Sequence, residues 1–160
     1  MKRLIPLLFA ILLGGRLAAQ EELPRVYNEE IDPMEQIDQA IAQAQAEGKF
    51  VLVQVGGNWC PWCLRFADFA AKNEAVAKVI NDNYIYIHAN TSKGHKNPEM
   101  LRRLDNPGRF GYPVFVILDE KGNRLHTQNS SYLEEGKGYN EKLVVDFLQN
   151  WTRTAIETLK

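Results

Sequence analysis

Apolar residues along the chain fall into runs whose period switches from helical to strand-like and back several times. Met34, Ile37, Ile41 and Ala44 recur at helical spacing with Gln and Glu between them. Asp32 precedes them as an N-cap, Pro33 takes the first helical position and Glu35 the third, and Gly48 follows as a stop. The pattern predicts a packing helix from Pro33 up to Gly48. Residues 50–55 are apolar at nearly every position, Gln54 excepted, as in a strand buried on both faces. A helical pattern over residues 64–71 comes next, with Phe66, Phe69 and Ala70 inward. Asn73-Glu74 caps a short helix whose apolar face is Val76, Val79 and Ile80. A second strand is expected at residues 84–88. A loop rich in Lys, Gly, His and Asn follows at 91–97, then a short helix from Pro98 to Leu104 capped by Asn97. Asn106-Pro107-Gly108 breaks the chain. Residues 114–118 form a third apolar strand, residues 119–123 are turn chemistry, and residues 124–128 return antiparallel as a hairpin. After a loop over 129–139, Asn140 caps a last helix in which Leu143, Val144, Phe147, Leu148 and Trp151 repeat at helical spacing.

This alternation is an α/β layer pattern: a small mixed β-sheet flanked by helices on both faces. No internal repeat, low-complexity tract or linker divides it. Residues 32–160 therefore read as one domain, and residues 20–31 as a polar, extended lead-in. Residues 1–19 stand apart, with a basic Met1-Lys2-Arg3, an apolar run at 4–13 and small residues at Ala18-Ala19. That is the pattern of a secretory signal peptide cut near Ala19/Gln20. The run is too short to span a bilayer, and no cysteine precedes Cys60 to carry a lipid. The expected product is exported, periplasmic or secreted, with no stable membrane anchor. Cleavage would remove Lys2, Arg3 and Arg16 and no acid, moving the net charge from −1 to about −4. A mildly acidic domain offers no electrostatic case for nucleic acid or an anionic membrane.

The candidate chemistry lies in Gly56-Gly57-Asn58-Trp59-Cys60-Pro61-Trp62-Cys63, between the buried strand and the helix after it. The stretch holds both cysteines of the chain. The strand delivers Cys60 to a helix start, where unpaired N–H groups and the helix dipole favour an anion. Cys60 is thus the expected thiolate nucleophile, and Cys63, one turn on, is placed to close a disulfide onto it. Exported proteins often use cysteines as staples, but a CxxC loop is too small to constrain the unfolded chain much. The pair is better explained as chemistry.

Here the CxxC follows a strand, opens a helix, is preceded by Trp59 and is answered about 50 residues later by Pro113 at a strand entrance. In that context the chain resembles the thioredoxin superfamily over most of its length, from about Phe50 to Trp151. Within it the chain is similar to exported thioredoxin-like proteins with a Trp-Cys-x-x-Cys site and a long loop before the last helix. The resemblance implies a thioredoxin-like fold and a thiol–disulfide oxidoreductase. Cys60 would attack substrate disulfides and Cys63 resolve the mixed disulfide. Pro113 would follow a cis bond facing the cysteines, and Tyr112 would offer its backbone to an extended substrate, with Trp59, Pro61 and Trp62 framing the sulfurs. No organic cofactor is implied, because the dithiol itself carries two electrons. The implied partners are protein or peptide disulfides and, for a reductant, a membrane-embedded thiol reductase as electron donor. An oxidative-folding catalyst and a non-catalytic peptide-binding module are the alternatives.

Two features depart from the family. Thioredoxins and many relatives carry a buried carboxylate where this chain has Gln54, and an amide cannot take a proton from Cys63 at neutral pH. Either water or another group must do so. The amide itself is read first as a hydrogen-bonded core group, the usual state of buried polar side chains. The Pro61-Trp62 pair matches neither the common reductants nor the common strong oxidants. Trp62 either offers an apolar surface to substrates or packs against Tyr112 and Trp59. Arg65 either stabilises a thiolate or is a solvated helix residue. Asp68 and Glu74 read as surface acids. His88, His95 and His126 fit no familiar metal-ligand spacing with the cysteines, so no metal is expected. The loop over residues 130–139 is long enough to shape substrate access, and its aromatic and leucine residues suggest that it packs down.

Overall fold

The apolar run after Gly48 becomes β1 (Phe50–Gly56), an interior strand with every residue buried. The structure, a computed structural model, describes residues 22–91 and 97–158; the segment read as a signal peptide, and most of the loop after residue 91 with His95, lie outside the described residues. β1 pairs in parallel with β2 (Tyr84–Asn90) and antiparallel with β3 (Val114–Leu118). β3 pairs antiparallel with β4 (Arg124–Asn129), so the order is β2-β1-β3-β4. This is the mixed sheet the sequence predicts.

Strand parity sorts the side chains to two faces. Val51, Val53 and Val55 of β1, with Val114, Val116 and Leu118 of β3, cluster with Ile37, Ala40 and Ala44 of α1 (Pro33–Glu47) and Met100 of α4 (Pro98–Arg103). Phe50 and Leu52 of β1, with Phe115 and Ile117 of β3, take the other face. There they pack with α2 (Pro61–Lys72), α3 (Glu74–Asn83) and α5 (Glu141–Asn150). Gln54 shares this second register, so parity alone turns its amide toward α2.

The caps explain where the helices start. Asp32, Asn73 and Asn140 accept backbone N–H groups from Met34, Val76 and Leu143, and Gly48 ends α1 in the left-handed region at φ 67°. In the β3–β4 turn, Asp119 accepts from the N–H groups of Lys121 and Asn123 at 2.9 and 2.8 Å.

The structure corrects several expectations. Asn97 makes no side-chain bond to α4; its backbone is left-handed, and its amide instead donates to Asn90 O at the end of β2, at 3.0 Å. β2 runs on to Asn90 because Gly56 still has a partner there. The last helix is broken: α5 stops at Asn150, and Thr152 caps α6 (Arg153–Glu157). Leu143 is 42% exposed, since the buried stripe of α5 is Val144, Phe147 and Leu148 and Leu143 lies beside it. Residues 129–139 are partly regular, with a 3-10 turn at Ser130–Leu133 and a small hairpin of β5 (Glu134–Glu135) and β6 (Gly138–Tyr139). Leu133 and Tyr139 of this segment are buried, as its composition suggests, and Tyr132 is exposed.

Candidate active site

β1 ends at Gly56, and the turn after it places Cys60 as N-cap of α2. The Cys63 N–H reaches the Cys60 sulfur at 3.2 Å, and Pro61 at the first helical position has no N–H to leave unpaired. Cys60 and Cys63 form a disulfide, with their Cα atoms 5.3 Å apart. The pair is asymmetric: Cys60 is 5% exposed beside an exposed Pro61, whereas Cys63 is fully covered. α2 is fixed from below by Phe66, whose ring lies 4.3 Å from Phe115 and 4.9 Å from Tyr139.

The fold brings the distant predicted residues to the cysteines. The Tyr112–Pro113 bond is cis and immediately precedes β3. Tyr112 packs against the cluster of Cys60 and Cys63, and its ring meets Trp59 edge-on at 5.5 Å. Trp59 is 44% exposed and Pro113 is buried. Trp62 does not stack on Trp59 or Tyr112, as one reading of the sequence has it. Its ring meets Tyr139 edge-on at 5.7 Å, and the Tyr139 hydroxyl donates to Trp62 O at 3.1 Å. The segment before the last helix thus reaches the first turn of α2. Arg65 lies over the Trp62 ring at 5.0 Å, a cation–π contact that neither sequence reading of this residue foresaw.

Beneath Cys63, Gln54 is hydrogen-bonded on both sides. Its Nε2 donates to the Tyr27 hydroxyl at 2.6 Å and to Cys63 O at 2.9 Å, while its Oε1 accepts from the Tyr86 hydroxyl. Tyr27 comes from the lead-in and is buried against the cysteines. Asn58 clasps its backbone, accepting from Tyr27 N at 3.2 Å and donating to Tyr27 O at 2.7 Å. Tyr27, Asn58, Tyr86 and Tyr139 are site neighbours that sequence reasoning missed. Tyr86 was accessible through parity, since it shares the face of Gln54. Tyr27 lies where no periodicity points to it, and a buried amide in need of partners was the one available clue.

His88 sits opposite Gln54 in the β1–β2 register, its ring against Tyr27 at 5.4 Å and Tyr86 at 4.6 Å. Burial pulls its pKa down to about 4, and its Nε2 is buried with no hydrogen bond among the described residues. The folded protein therefore holds His88 neutral between about pH 4 and 6.5, while the unfolded chain binds a proton there. Its contribution to stability is complete above pH 6.5, falls as pH drops from 6.5 to about 4, and levels off below. The total loss is about 3 kcal/mol. Urea titrations from pH 7 to pH 4 should show that slope reduced in His88→Phe; equal slopes would refute the assignment. Among the described residues no three His, Cys, Asp or Glu side chains converge on a possible metal position, and His88 and His126 lie on opposite outer strands.

Residues 32–120 match the profile of a family described as thioredoxin-like. The chain belongs to the thioredoxin-like family. Thiol:disulfide interchange protein DsbD of Yersinia enterocolitica is 22% identical over 129 residues, 81% of this chain and 22% of that protein. An uncharacterized protein of Caenorhabditis elegans is 27% identical over 82 residues, half of this chain and 11% of its own length. The chain thus spans less than a quarter of either relative. Among solved structures, a disulphide isomerase from Xylella fastidiosa superposes with TM-score 0.69 at 22% identity, covering 81% of this chain and 98% of that one. A thioredoxin from Thermus thermophilus gives 0.56 at 19% identity, with 87% and 95% covered. These superpositions establish a thioredoxin-like fold. Family and dithiol together place the chain among the thiol–disulfide oxidoreductases.

Proposed function

We propose that this thioredoxin-like protein acts outside the cytoplasm and reduces or exchanges protein disulfides, with Cys60 as nucleophile and Cys63 as resolving thiol. The observation that carries the reading is the depth asymmetry of the pair. A substrate sulfur can approach Cys60 past Trp59 and Pro61, whereas Cys63 is covered and is reached only through Cys60. In the reducing direction, the Cys60 thiolate attacks a substrate disulfide and releases one substrate thiol. Cys63 then attacks the Cys60 sulfur, the Cys60–Cys63 bond forms, and the second substrate thiol leaves with the electron pair and a proton. Tyr112 and Pro113, with Trp59 and Trp62, form the apolar frame against which an extended substrate segment rests. The dithiol carries both electrons, so the reaction needs no organic cofactor.

A reducing direction is supported by how few groups are poised to hold a Cys60 thiolate. Among the described residues the Cys60 sulfur accepts one hydrogen bond, from Cys63 N–H, and Arg65 lies over Trp62. A strong oxidant owes its potential to a stabilised reduced form. The similarity to a thiol:disulfide interchange protein is consistent with reduction through a membrane thiol reductase, and the N-terminal segment with export. Among the described residues no helix is long and apolar enough to cross a membrane. The structural likeness to a disulphide isomerase favours isomerisation as the second reading.

Equilibration of the Cys60–Cys63 pair with glutathione and dithiothreitol tests the choice. A potential near that of thioredoxin, roughly −270 mV, is expected for the reductant. A value of roughly −120 to −180 mV would move the assignment to disulfide formation or isomerisation. The absence of any reversible couple would leave a peptide-binding module.

A further inference from the structure

Resting on the reading of Cys63 as the resolving thiol, we infer that Tyr27 is the hydrogen-bond donor that serves Cys63 when the disulfide opens, a role filled from the lead-in. Cys63 is fully buried, and a thiolate in apolar surroundings is disfavoured unless something donates to it. Gln54 cannot be that donor. An amide nitrogen has two N–H groups, and here one goes to Tyr27 and the other to Cys63 O. The proton of Tyr86 is given to Gln54 Oε1. The Tyr27 hydroxyl differs from both. Its oxygen accepts from Gln54, but its own proton has no acceptor among the described residues.

The hydroxyl lies on the side of the sulfur. Gly56 is bare between the two groups: a methyl on its Cα would stand 2.5 Å from the Cys63 sulfur and 2.7 Å from the Tyr27 hydroxyl. Sulfur and hydroxyl therefore face one another across the only residue type that leaves the gap open. While the disulfide is closed, the Cys63 sulfur is tied to Cys60 and is a poor acceptor. Once a mixed disulfide forms on Cys60, Cys63 is free to turn about its χ1, and its thiolate is a charged acceptor, for which hydrogen bonds are strongest. Gln54 and Tyr86 orient the phenol, and Asn58 fixes its backbone.

Burial pushes the Tyr27 phenol far above its ordinary pKa, so it keeps its proton and acts as donor, never as base. The Cys63 proton leaves to solvent or to the departing substrate thiolate. The other titratable side chains facing this group are Tyr86 and Tyr139, both held protonated by burial, and His88, neutral above about pH 4. The arrangement fills the place of the missing carboxylate with a donor instead of a proton acceptor.

The two thiols can be read separately with Ellman's reagent in a stopped-flow instrument. The first thionitrobenzoate released reports attack by Cys60, and the second reports resolution by Cys63. In Tyr27→Phe the first release should stay within about twofold of the parent. The second should slow about tenfold or more, the worth of a hydrogen bond to a charged group, and its pH midpoint should rise. An unchanged second release would overturn the proposal, and so would equal slowing of both, which marks general damage. If the parent protein itself shows no two-step release, the fault lies with the resolving-thiol reading. Should Tyr27→Phe fail to fold, reduced parent protein labelled with 13Cζ-tyrosine decides. The Tyr27 signal should shift as Cys63 ionises, and a flat signal would overturn the proposal.

Discussion

Replacing Cys60 with serine is expected to reduce turnover of a disulfide substrate to the uncatalysed rate. A serine hydroxyl forms no disulfide, and Cys63 cannot substitute because it has no exposed surface. Reduction of insulin disulfides by dithiothreitol, with and without the variant, measures the effect. Cys63→Ser should behave differently. It retains the first attack and halts at the mixed disulfide, so a covalent adduct should accumulate on a non-reducing gel. Catalysis surviving in Cys60→Ser would end the assignment of Cys60 as nucleophile.

The second large effect concerns stability. Phe66→Ala should cost about 3–5 kcal/mol, since an aromatic ring with no exposed surface is removed from a packed site. Against a typical native stability of about 5–15 kcal/mol that is a large fraction. The melting temperature should fall by roughly 10–20 °C for a chain of this size. Phe66 is the residue through which α2 rests on Phe115 of β3 and on Tyr139 of β6. Its loss should therefore loosen the helix that carries Cys63. Phe66→Leu refills much of the volume and should recover more than half of the loss. A fall of less than about 3 °C in Phe66→Ala would mean that the neighbouring rings close the gap.

The order of helices and strands was legible because each element carries its own period and cap. Asp32, Asn73 and Asn140 stand where side-chain caps form, and β1 could be recognised as interior from an apolar run that only Gln54 interrupts. The cysteines were legible because strand, turn and helix start are contiguous in sequence. Asn97 misled because a residue type suited to capping also tolerates a left-handed backbone, and the competing carbonyl of Asn90 is a tertiary partner. Leu143 misled because helical spacing allows a face wider than the stripe that neighbours bury. For Trp62 the sequence offered Tyr112 and Trp59 as packing partners, and only the folded path of residues 130–139 makes Tyr139 the ring it meets. Tyr27 was least legible of all. A single aromatic in a polar stretch has no pattern to announce it, and its burial depends on Asn58, thirty-one residues away.

The clasp between Asn58 and Tyr27 also bears on where this unit may be divided. The family profile starts at residue 32, and a piece excised there would keep every helix and strand of the sheet. It would lose the ring that covers Cys63 from below, deprive Gln54 of one acceptor and Asn58 of three hydrogen-bonding groups, two on Tyr27 and one on Glu29. For transplanting the redox unit into another protein, the working boundary therefore lies ahead of Tyr27, in a segment that the family profile leaves outside.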